Sequence, residues 1–314
     1  GVFEDKAVKN LFACEYVTSN LRHLKTVGVI NEDELFGVTE IAEPVGVVCG
    51  IVPTTNPTST VIFKCLIAIK TRNPIIFSFH PSAYESSKMA AEIMRDTAVK
   101  AGAPENCIQW LGVKSMYATT ALMNHPGVAT ILATGGNAMV KAAYSCGKPA
   151  LGVGAGNVPA YVEKSCILKR AVNDIVLSKS FDNGMICASE QAAIVDQEIY
   201  NEFKEEISRF KVYWVNAEEK AKLEKYMFGA EAYSDKVNEV GTVNAAVVGK
   251  AATWIAEQAG FKVPEDTQIL LAECKEVGPN EPLTREKLSP VLAVLKATST
   301  EDGIAKSAAM VAFN

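Results

Sequence analysis

The 314 residues are too many for one small core and suit two domains of about 150 residues each. A composition of 48% hydrophobic and 21% charged residues is typical of a globular protein, and the net charge of −5 argues against a nucleic-acid partner. No apolar run reaches the ~18–20 residues that a membrane-spanning helix needs. The most apolar stretch, Val45 to Val52, fits a buried strand better.

Eight cysteines are spread along the chain at wide, irregular spacings, without a CxxC pair. This pattern favours free thiols in a reducing cytoplasm over disulfides or a zinc site, and most of them should be small core residues. No set of His, Cys and Asp has metal-ligand spacing, so we expect no metal. Charged residues among the first nine are unlike a signal peptide. Because helical patterns reach almost to both ends, we expect the sequence to be a fragment.

The first half alternates short apolar runs with longer amphipathic ones, after a helix-like run at Glu4–Asn20. In chain order the patterns predict strand Val45–Val52, helix Ser59–Lys70, strand Pro74–Phe79, helix Ser82–Ala101, strand Cys107–Leu111, helix Tyr117–Met123, strand Val128–Ala133 and helix Asn137–Tyr144. Strands that alternate with helices predict βαβ units and a doubly wound parallel sheet. Ligands of such sheets lie beyond the carboxyl ends of the strands, here the turns Pro53–Pro57, Ser78–Ser82 and Thr134–Asn137.

The second half alternates in the same way, which predicts a second α/β domain. Its predicted elements are helix Ile167–Lys179, strand Ala192–Val195, helices Glu198–Phe210, Ala217–Phe228 and Ala251–Ala259, strands Gln268–Ala272 and Val291–Lys296, and helix Ser307–Phe313. The glycine run from Gly152 to Gly156 is the best candidate for the crossover between the domains.

Two turns of the first half could serve a ligand. The usual dinucleotide fingerprint is absent, because the nearest match, Gly154 to Pro159, ends in proline where a glycine is needed for close packing. Thr134 to Asn137 follows a strand and opens a helix, where anions can bind, although composition alone favours an ordinary βα turn. Asn56, between two prolines, could donate to an oxyanion or be a simple turn residue. His80 follows a strand, and a structural role is favoured for it.

The segment Phe181–Gln191 places one thiol, Cys187, among small and polar neighbours between a predicted helix and a strand. Backbone N–H groups in such a loop can stabilise a thiolate and then an oxyanion. From these residues alone, a buried structural cysteine is the favoured interpretation, and the nucleophile is the alternative.

Together these segments resemble the aldehyde dehydrogenase superfamily. Glu43-Pro-Val-Gly followed by Pro53–Pro57 resembles its "EPVG…PWNFP" strand and turn, Thr134-Gly-Gly resembles its "FTGS" turn, and Glu286–Pro290 resembles its "EEIFGP" segment. Cys187 falls at the nucleophile. The match runs in order along nearly the whole chain.

The CoA-acylating branch is the closer match, and within it the aldehyde dehydrogenase half of bifunctional aldehyde-alcohol dehydrogenases. Ile51–Thr60, Gly152–Asn157 and Ser180–Gln191 carry this likeness. The resemblance implies a Rossmann-like NAD-binding domain over 1–153 and a catalytic domain over 154–314, both incomplete. It also implies a homo-oligomer, which forms filaments in the bifunctional proteins.

The residues that the resemblance assigns to catalysis are Cys187 as nucleophile and Asn56 as oxyanion donor. Those that it assigns to NAD are Ile51, Val52, Pro53, Thr54, Thr55, Asn56, Ser78, Gly135, Gly136, Gly154 and Glu286, the last on the nicotinamide ribose. The lysine and glutamate that hydrolytic members carry after their second strand are missing, and Ser78 and Pro81 stand near those positions. The preference for NAD over NADP therefore rests on the resemblance.

A second departure concerns the reaction. Hydrolytic members carry a glutamate in an "ELGGK" segment that activates water, whereas Gly152–Asn157 stands in that place and no carboxylate occurs between Lys148 and Tyr161. Without this base, hydrolysis of the thioester slows by about 10²–10⁴-fold, whereas a CoA thiolate is intrinsically a strong nucleophile and has less need of a base. We therefore expect interconversion of acetaldehyde and acetyl-CoA. The alternatives are a hydrolytic enzyme, another aldehyde such as succinate semialdehyde, and a non-catalytic piece of an assembly.

Overall fold

The computed structural model describes residues 1–229 and 243–313. It divides into two compact units, Lys6–Gly154 and Gly1–Asp5 with Ala155–Asn314. The predicted boundary between residues 153 and 154 falls one residue before this division. Residues 230–242 and Asn314 of the second predicted domain lie outside the described residues.

The unit Lys6–Gly154 contains a five-stranded parallel sheet with helices on both faces. In chain order its elements are α1 (Phe3–Arg22, which begins before the unit does), β1 (Gly28–Asp33), β2 (Val38–Ala42), β3 (Val47–Val52), α2 (Pro57–Lys70), β4 (Ile75–Phe79), α3 (Tyr84–Lys100), β5 (Ile108–Trp110), α4 (Met116–Asn124), β6 (Val128–Thr134), α5 (Asn137–Tyr144) and β7 (Ala150–Val153). The strand order β5-β4-β3-β6-β7 confirms the predicted doubly wound sheet. The chain winds outward from β3 through β4 and β5, then returns to β6, so the winding reverses between β3 and β6.

Alternate residues of β3 enter two separate cores, which explains its nearly continuous apolar sequence. Val48 and Val52 pack with residues of α2, α3, β4 and β5, whereas Cys49 and Ile51 pack with residues of α4, β6 and α5. Helices cover both faces because each face of the strand is apolar.

An antiparallel hairpin formed by β1 and β2 was not predicted from the sequence. Nearly all of its residues are exposed or half-buried on both faces. Without a buried face, its residues do not alternate between apolar and polar, and the periodicity that identifies a strand is absent.

The other unit contains a second five-stranded parallel sheet. Its elements are β8 (Pro159–Val162), α6 (Leu168–Ser180), β9 (Ala192–Asp196), α7 (Tyr200–Ile207), β10 (Val212–Trp214), α8 (Ala217–Phe228), α9 (Ala252–Ala259), β11 (Ile269–Glu273), β12 (Val291–Ala297) and α10 (Thr300–Ala312). The strand order is β10-β11-β12-β9-β8, with apolar cores on both faces, so the prediction of a second α/β domain is confirmed.

In this second sheet β8, β9 and β12 are neighbours. The segments that precede them carry Gly156, Cys187 and Glu286. Because the strands are parallel, their amino ends share one edge of the sheet, and this topology brings the three segments together there.

Within residues 1–229 and 243–313, no helix is both long and apolar enough to cross a lipid bilayer. The same residues contain no cluster of three or more His, Cys, Asp or Glu side chains suited to a metal ion.

Candidate active site

The carboxyl ends of β3, β4 and β6 enclose a cleft of about 100 Å³ at the reversal point of the first sheet. Six of the residues predicted to bind the cofactor line it: Ile51, Val52, Pro53, Ser78, Gly135 and Gly136. The residues that the sequence did not single out come mainly from the start of α4 and from α5, among them Ser115, Met116, Thr119 and Met139. Thr54, Thr55, Asn56 and Gly154 do not line the cleft.

The cleft suits part of a dinucleotide. Its walls are mostly apolar, and a Cβ atom added at Gly136 would have no neighbour within 4 Å, so the backbone there is open to a ligand. A cleft of this volume can hold one ring of a dinucleotide but not the whole dinucleotide. The cleft-lining residues include no Asp, Glu, Lys or Arg that would distinguish a ribose 2′-hydroxyl from a 2′-phosphate.

Two residues at this edge are engaged in local structure. The Ser78 hydroxyl lies 2.7 Å from the Thr119 hydroxyl, and both side chains are buried. His80 Nδ1 accepts the backbone N–H of Ser82 at 3.2 Å and so caps a short 3-10 turn. The structural role expected for His80 is therefore confirmed, although its side chain also lines the cleft.

Asn56 ends the turn after β3, where Pro57 opens α2. Its Oδ1 accepts a hydrogen bond from Lys9 Nζ at 2.7 Å, and its Nδ2 lies 3.4 Å from Thr55 Oγ1. At least one N–H of this amide is therefore not engaged by the described residues, as an oxyanion donor requires.

In the other unit, Cys187 lies on a tight turn that is closed by a 2.9 Å hydrogen bond from Ser189 N to Ile186 O. The cysteine is half-buried, whereas Cys49, Cys65 and Cys274 are buried. Burial raises the pKa of Cys49 and of Cys274 to about 12 and holds both as thiols. Partial exposure therefore distinguishes Cys187 from these three, because a nucleophile must be reachable.

Three successive residues before Cys187 adopt left-handed backbone conformations: Asp182 at φ 50°, Asn183 at φ 54° and Gly184 at φ 64°. The two non-glycine residues are held by their side chains. Asp182 Oδ1 accepts the N–H of Val2 at 2.8 Å, and Asn183 Nδ2 donates to Gly249 O at 3.1 Å. Such strain is maintained only where surrounding contacts fix it, which is typical of functional loops.

Glu286 is joined to the Cys187 turn through Gly156. Its Oε1 accepts the Gly156 N–H at 3.2 Å, and a Cβ atom built on Gly156 would lie 3.5 Å from the Cys187 carbonyl oxygen. Burial raises the pKa of Glu286, and this hydrogen bond and the nearby Lys287 and Lys179 oppose that rise. Within this unit the structure thus brings Cys187 and Glu286 together, whereas Gly156 was not predicted as a site residue.

A buried polar framework supports the Cys187 turn. Gln191 N donates to Val158 O at 2.7 Å, and Gln191 Oε1 accepts the Lys287 N–H at 3.1 Å. Lys287 Nζ donates to the carbonyl oxygens of Gln191, Leu283 and Arg285 at 2.6–3.0 Å. These contacts link the cysteine turn, through Gln191, to the segment that carries Glu286.

Lys179 also belongs to this framework, because its Nζ lies 3.5 Å from Gln191 Oε1, and both Lys179 and Lys287 are completely buried. Burial lowers the pKa of Lys179 to about 7, and the carboxylates of Glu190 and Glu286 oppose the shift. Burial and the neighbouring Lys179 charge hold the pKa of Lys287 well below its usual value. Two buried amines with lowered pKa values thus lie beside the Cys187 turn.

The place taken by the water-activating glutamate in hydrolytic enzymes holds no carboxylate. Asn157, the polar residue there, is buried, and its Nδ2 donates to the carbonyl oxygens of Thr284, Met310 and Phe313 at 2.8 Å each. An amide with these contacts anchors the chain and cannot act as a general base.

Comparisons with known proteins agree with this architecture. The aldehyde dehydrogenase family model matches residues 5–309. The aldehyde-alcohol dehydrogenase 2 of Entamoeba histolytica is 69% identical over 314 residues, which are 100% of this chain and 36% of that protein. The chain thus spans about a third of the length of such relatives.

Solved structures match as well. An acetylating aldehyde dehydrogenase from Geobacillus thermoglucosidasius superposes with a TM-score of 0.94 at 46% identity, covering 100% of this chain and 67% of that one. A Rhodopseudomonas palustris propionaldehyde dehydrogenase with bound CoA and an acylated cysteine gives a TM-score of 0.77 at 30% identity, covering 86% and 59%. With the family model matched over nearly its whole length, the chain belongs to the aldehyde dehydrogenase family.

Proposed function

We propose that the chain catalyses the reversible conversion of acetaldehyde, CoA and NAD⁺ to acetyl-CoA and NADH, through a thioester on Cys187. The observation that carries this proposal is the partly exposed Cys187 on a rigidly held turn, linked through Gly156 to Glu286 and lacking a carboxylate in the water-activating position. The acetylating and CoA-bound relatives support it.

The cofactor would be held by two sets of residues. The cleft at the ends of β3, β4 and β6 would take one ring, with Gly136 leaving the backbone accessible beside Gly135. Glu286 would accept hydrogen bonds from the nicotinamide ribose. Thr54, Thr55, Asn56 and Gly154 remain predictions from the resemblance. When bound, NAD⁺ supplies the acceptor for the hydride that leaves the aldehyde carbon.

Cys187 begins the reaction as a thiolate that attacks the aldehyde carbon. A C–S bond forms, and the carbonyl π electrons move to oxygen as an oxyanion. The Cys187 backbone N–H and, as the resemblance implies, the Asn56 amide donate to that oxygen, each worth about 3 kcal/mol. Once the carbon has lost its hydride, Cys187 holds the acyl group as a thioester.

The thioester is then passed to CoA. A CoA thiolate attacks the acyl carbon, the bond to Cys187 breaks, and the cysteine sulfur leaves with the electron pair as a thiolate. Water is a much weaker nucleophile and would need a general base. Asn157 cannot supply one, and one oxygen of Glu286 is occupied by the Gly156 N–H. These contacts favour transfer to CoA.

We also propose that the protein is a homo-oligomer in the cytoplasm. That it forms filaments, as the resemblance to bifunctional enzymes implies, stays a prediction. The hairpin β1–β2 supports an oligomer, because Leu35 and Phe36 at its turn are 85% and 76% exposed and an isolated hairpin is only marginally stable in water. All eight cysteines are free thiols, which supports a reducing compartment.

The test measures NADH formation by the complete natural polypeptide that contains these residues, with and without CoA, beside Cys187→Ser. We expect continuous turnover only with CoA, a single-turnover burst without it, and neither in the variant. Cys166→Ser, which removes another half-buried thiol of the same unit, is the matched control and should retain activity. Continuous NADH production without CoA would indicate a hydrolytic enzyme, and activity in Cys187→Ser would refute the thioester.

A further inference from the structure

Helix α1 holds the Asn56 turn through three side-chain contacts. Lys6 Nζ donates to Thr55 O at 2.5 Å, Lys9 Nζ donates to Asn56 Oδ1 at 2.7 Å, and Thr58 Oγ1 donates to Asn10 Oδ1 at 2.7 Å. Of these three contacts, the one from Lys9 is made to the Asn56 side-chain amide, which the proposed reaction uses as an oxyanion donor.

We propose that Lys9 is a positioning residue for the oxyanion step, which fixes the Asn56 amide with its oxygen on the lysine and its N–H groups directed away. This inference rests on the proposed function, because it requires Asn56 to donate to the oxyanion.

The chemistry of the two groups determines the orientation. An ammonium group has three donors and no acceptor, so the amide atom that faces Lys9 must be the oxygen. A hydrogen bond at 2.7 Å to a charged donor is of the strong kind. The flipped amide would place Nδ2 against the ammonium group, donor against donor. Lys9 therefore excludes the rotamer in which Asn56 would present an acceptor to an oxyanion and repel it.

Lys9 also strengthens the donor. A cation on the amide oxygen draws electron density from the nitrogen, which makes its N–H groups better donors, as in other hydrogen-bond chains. The positive charge of Lys9 thus acts on the oxyanion through Asn56 without touching substrate.

The experiment is a double-mutant cycle on the complete natural polypeptide, with the pre-steady-state NADH burst at saturating NAD⁺ as the rate of Cys187 acylation. Asn56→Ala should slow the burst on the order of 100-fold. Lys9→Met should slow it about 10-fold, because the amide then samples both orientations and loses its polarisation. In the Asn56→Ala background, Lys9→Met should have no further effect, because the group through which it acts is gone.

Two further variants separate positioning from mere stability. Lys9→Arg retains a charged donor and should return most of the lost rate, with an unchanged KM for acetaldehyde. Asn10→Ala removes a neighbouring contact between α1 and α2 and should leave the burst near the wild-type rate. Should Lys9→Met fail to fold, Lys9→Gln provides a neutral side chain of similar length for the same cycle.

The outcomes are distinct. Three results would each overturn the positioning role. Lys9→Met could slow the burst by the same factor in the wild-type and Asn56→Ala backgrounds, or Asn10→Ala could slow it as much as Lys9→Met does. The third is a normal burst in Lys9→Met while Asn56→Ala is slow. A normal burst in Asn56→Ala would instead remove the oxyanion assignment and this inference with it. The thioester on Cys187 would still be tested separately, by Cys187→Ser.

Discussion

Lys64 is a buried lysine that joins the two strands between which the first sheet reverses its winding. It is 2% exposed, and its Nζ donates to Ile51 O of β3 and to Leu132 O of β6, both at 2.6 Å. Replacement by methionine keeps the length of the side chain and removes both hydrogen bonds. The change also removes the cost of burying an ammonium group. These two effects oppose each other, and pH decides which is larger.

Burial lowers the pKa of Lys64 from 10.5 to about 7. Between these values the unfolded chain binds a proton that the folded chain does not, so the stability of the wild type rises with pH. The free-energy cost of burying the Lys64 ammonium group is fully present below about pH 7 and disappears toward pH 10.5. From pH 7.5 to 9.5 the wild type gains roughly 2–3 kcal/mol of stability, because each pH unit contributes about 1.4 kcal/mol over nearly the whole interval.

The stability of Lys64→Met lacks this rise with pH. The variant leaves two buried carbonyl oxygens without a donor, and each destabilises it by about 1–3 kcal/mol at any pH. Near pH 7.5 the opposing effects are of similar size, and the variant should be close to the wild type in stability. At pH 9.5 it should be clearly less stable.

The assay is urea unfolding of both proteins at pH 7.5, 8.5 and 9.5, and the quantity is the difference between their free energies of unfolding, in which other titrating groups cancel. Lys100→Met, at an exposed lysine that ends α3 in the same unit, is the control and should give a difference that does not change with pH. A constant difference for Lys64→Met, or one that shrinks as the pH rises, would refute the reasoning.

Two changes near Cys187 test the other parts of the site. Gly184→Ala places a Cβ atom 2.6 Å from Ser289 O at φ +64°, so we expect the Cys187 acylation burst to be lost in a stopped-flow assay and the protein to be destabilised by at least ~1 kcal/mol. Gly260→Ala, at φ +89° with no atom within 4 Å of the new Cβ, isolates the cost of the backbone conformation, and an equal loss of the burst there would speak against the clash. Glu286→Gln should raise the KM for NAD⁺ about 10-fold, the loss of one charge-assisted hydrogen bond, in initial rates at saturating acetaldehyde and CoA. An unchanged KM, equal to that of the exposed Glu276→Gln, would contradict a ribose contact.

Sequence periodicity located the elements that have a buried face. The predicted strands over Val45–Val52, Pro74–Phe79 and Val128–Ala133 correspond to β3, β4 and β6, and their order in the sheet follows from βαβ winding. The short edge strands β7, β8 and β10 were not predicted, because three or four residues leave too little pattern.

The start of α10 was predicted too late, at Ser307 instead of Thr300, although the signal for it was present. Ser299 Oγ accepts the N–H of Asp302, and Asp302 Oδ2 accepts the N–H of Thr298, so the chain carries the short polar motif that typically begins a helix. The apolar pattern of this helix becomes clear only further along, and periodicity alone therefore shortened it.

The burial of two lysines could not be predicted from the sequence. Lys64 lies in the apolar middle of α2, and Lys287 follows the glutamate of a recognisable motif. Lysine is almost never fully buried, so the ordinary expectation for each is an exposed side chain. Each is buried because main-chain carbonyl oxygens from other elements converge on its ammonium group. That convergence belongs to the fold, and no local pattern encodes it.

The same reasoning explains why the loop of Cys187 could not be interpreted without the family resemblance. A run of small and polar residues predicts flexibility, whereas a nucleophile must be held in place. The loop is rigid because Gln191, four residues after the cysteine, is bound by Lys287 from a segment almost a hundred residues later, and because Asp182 is bound by Val2 from the start of the chain. Order in this site comes from partners distant in sequence, and a cysteine's local surroundings therefore cannot distinguish a nucleophile from a structural thiol.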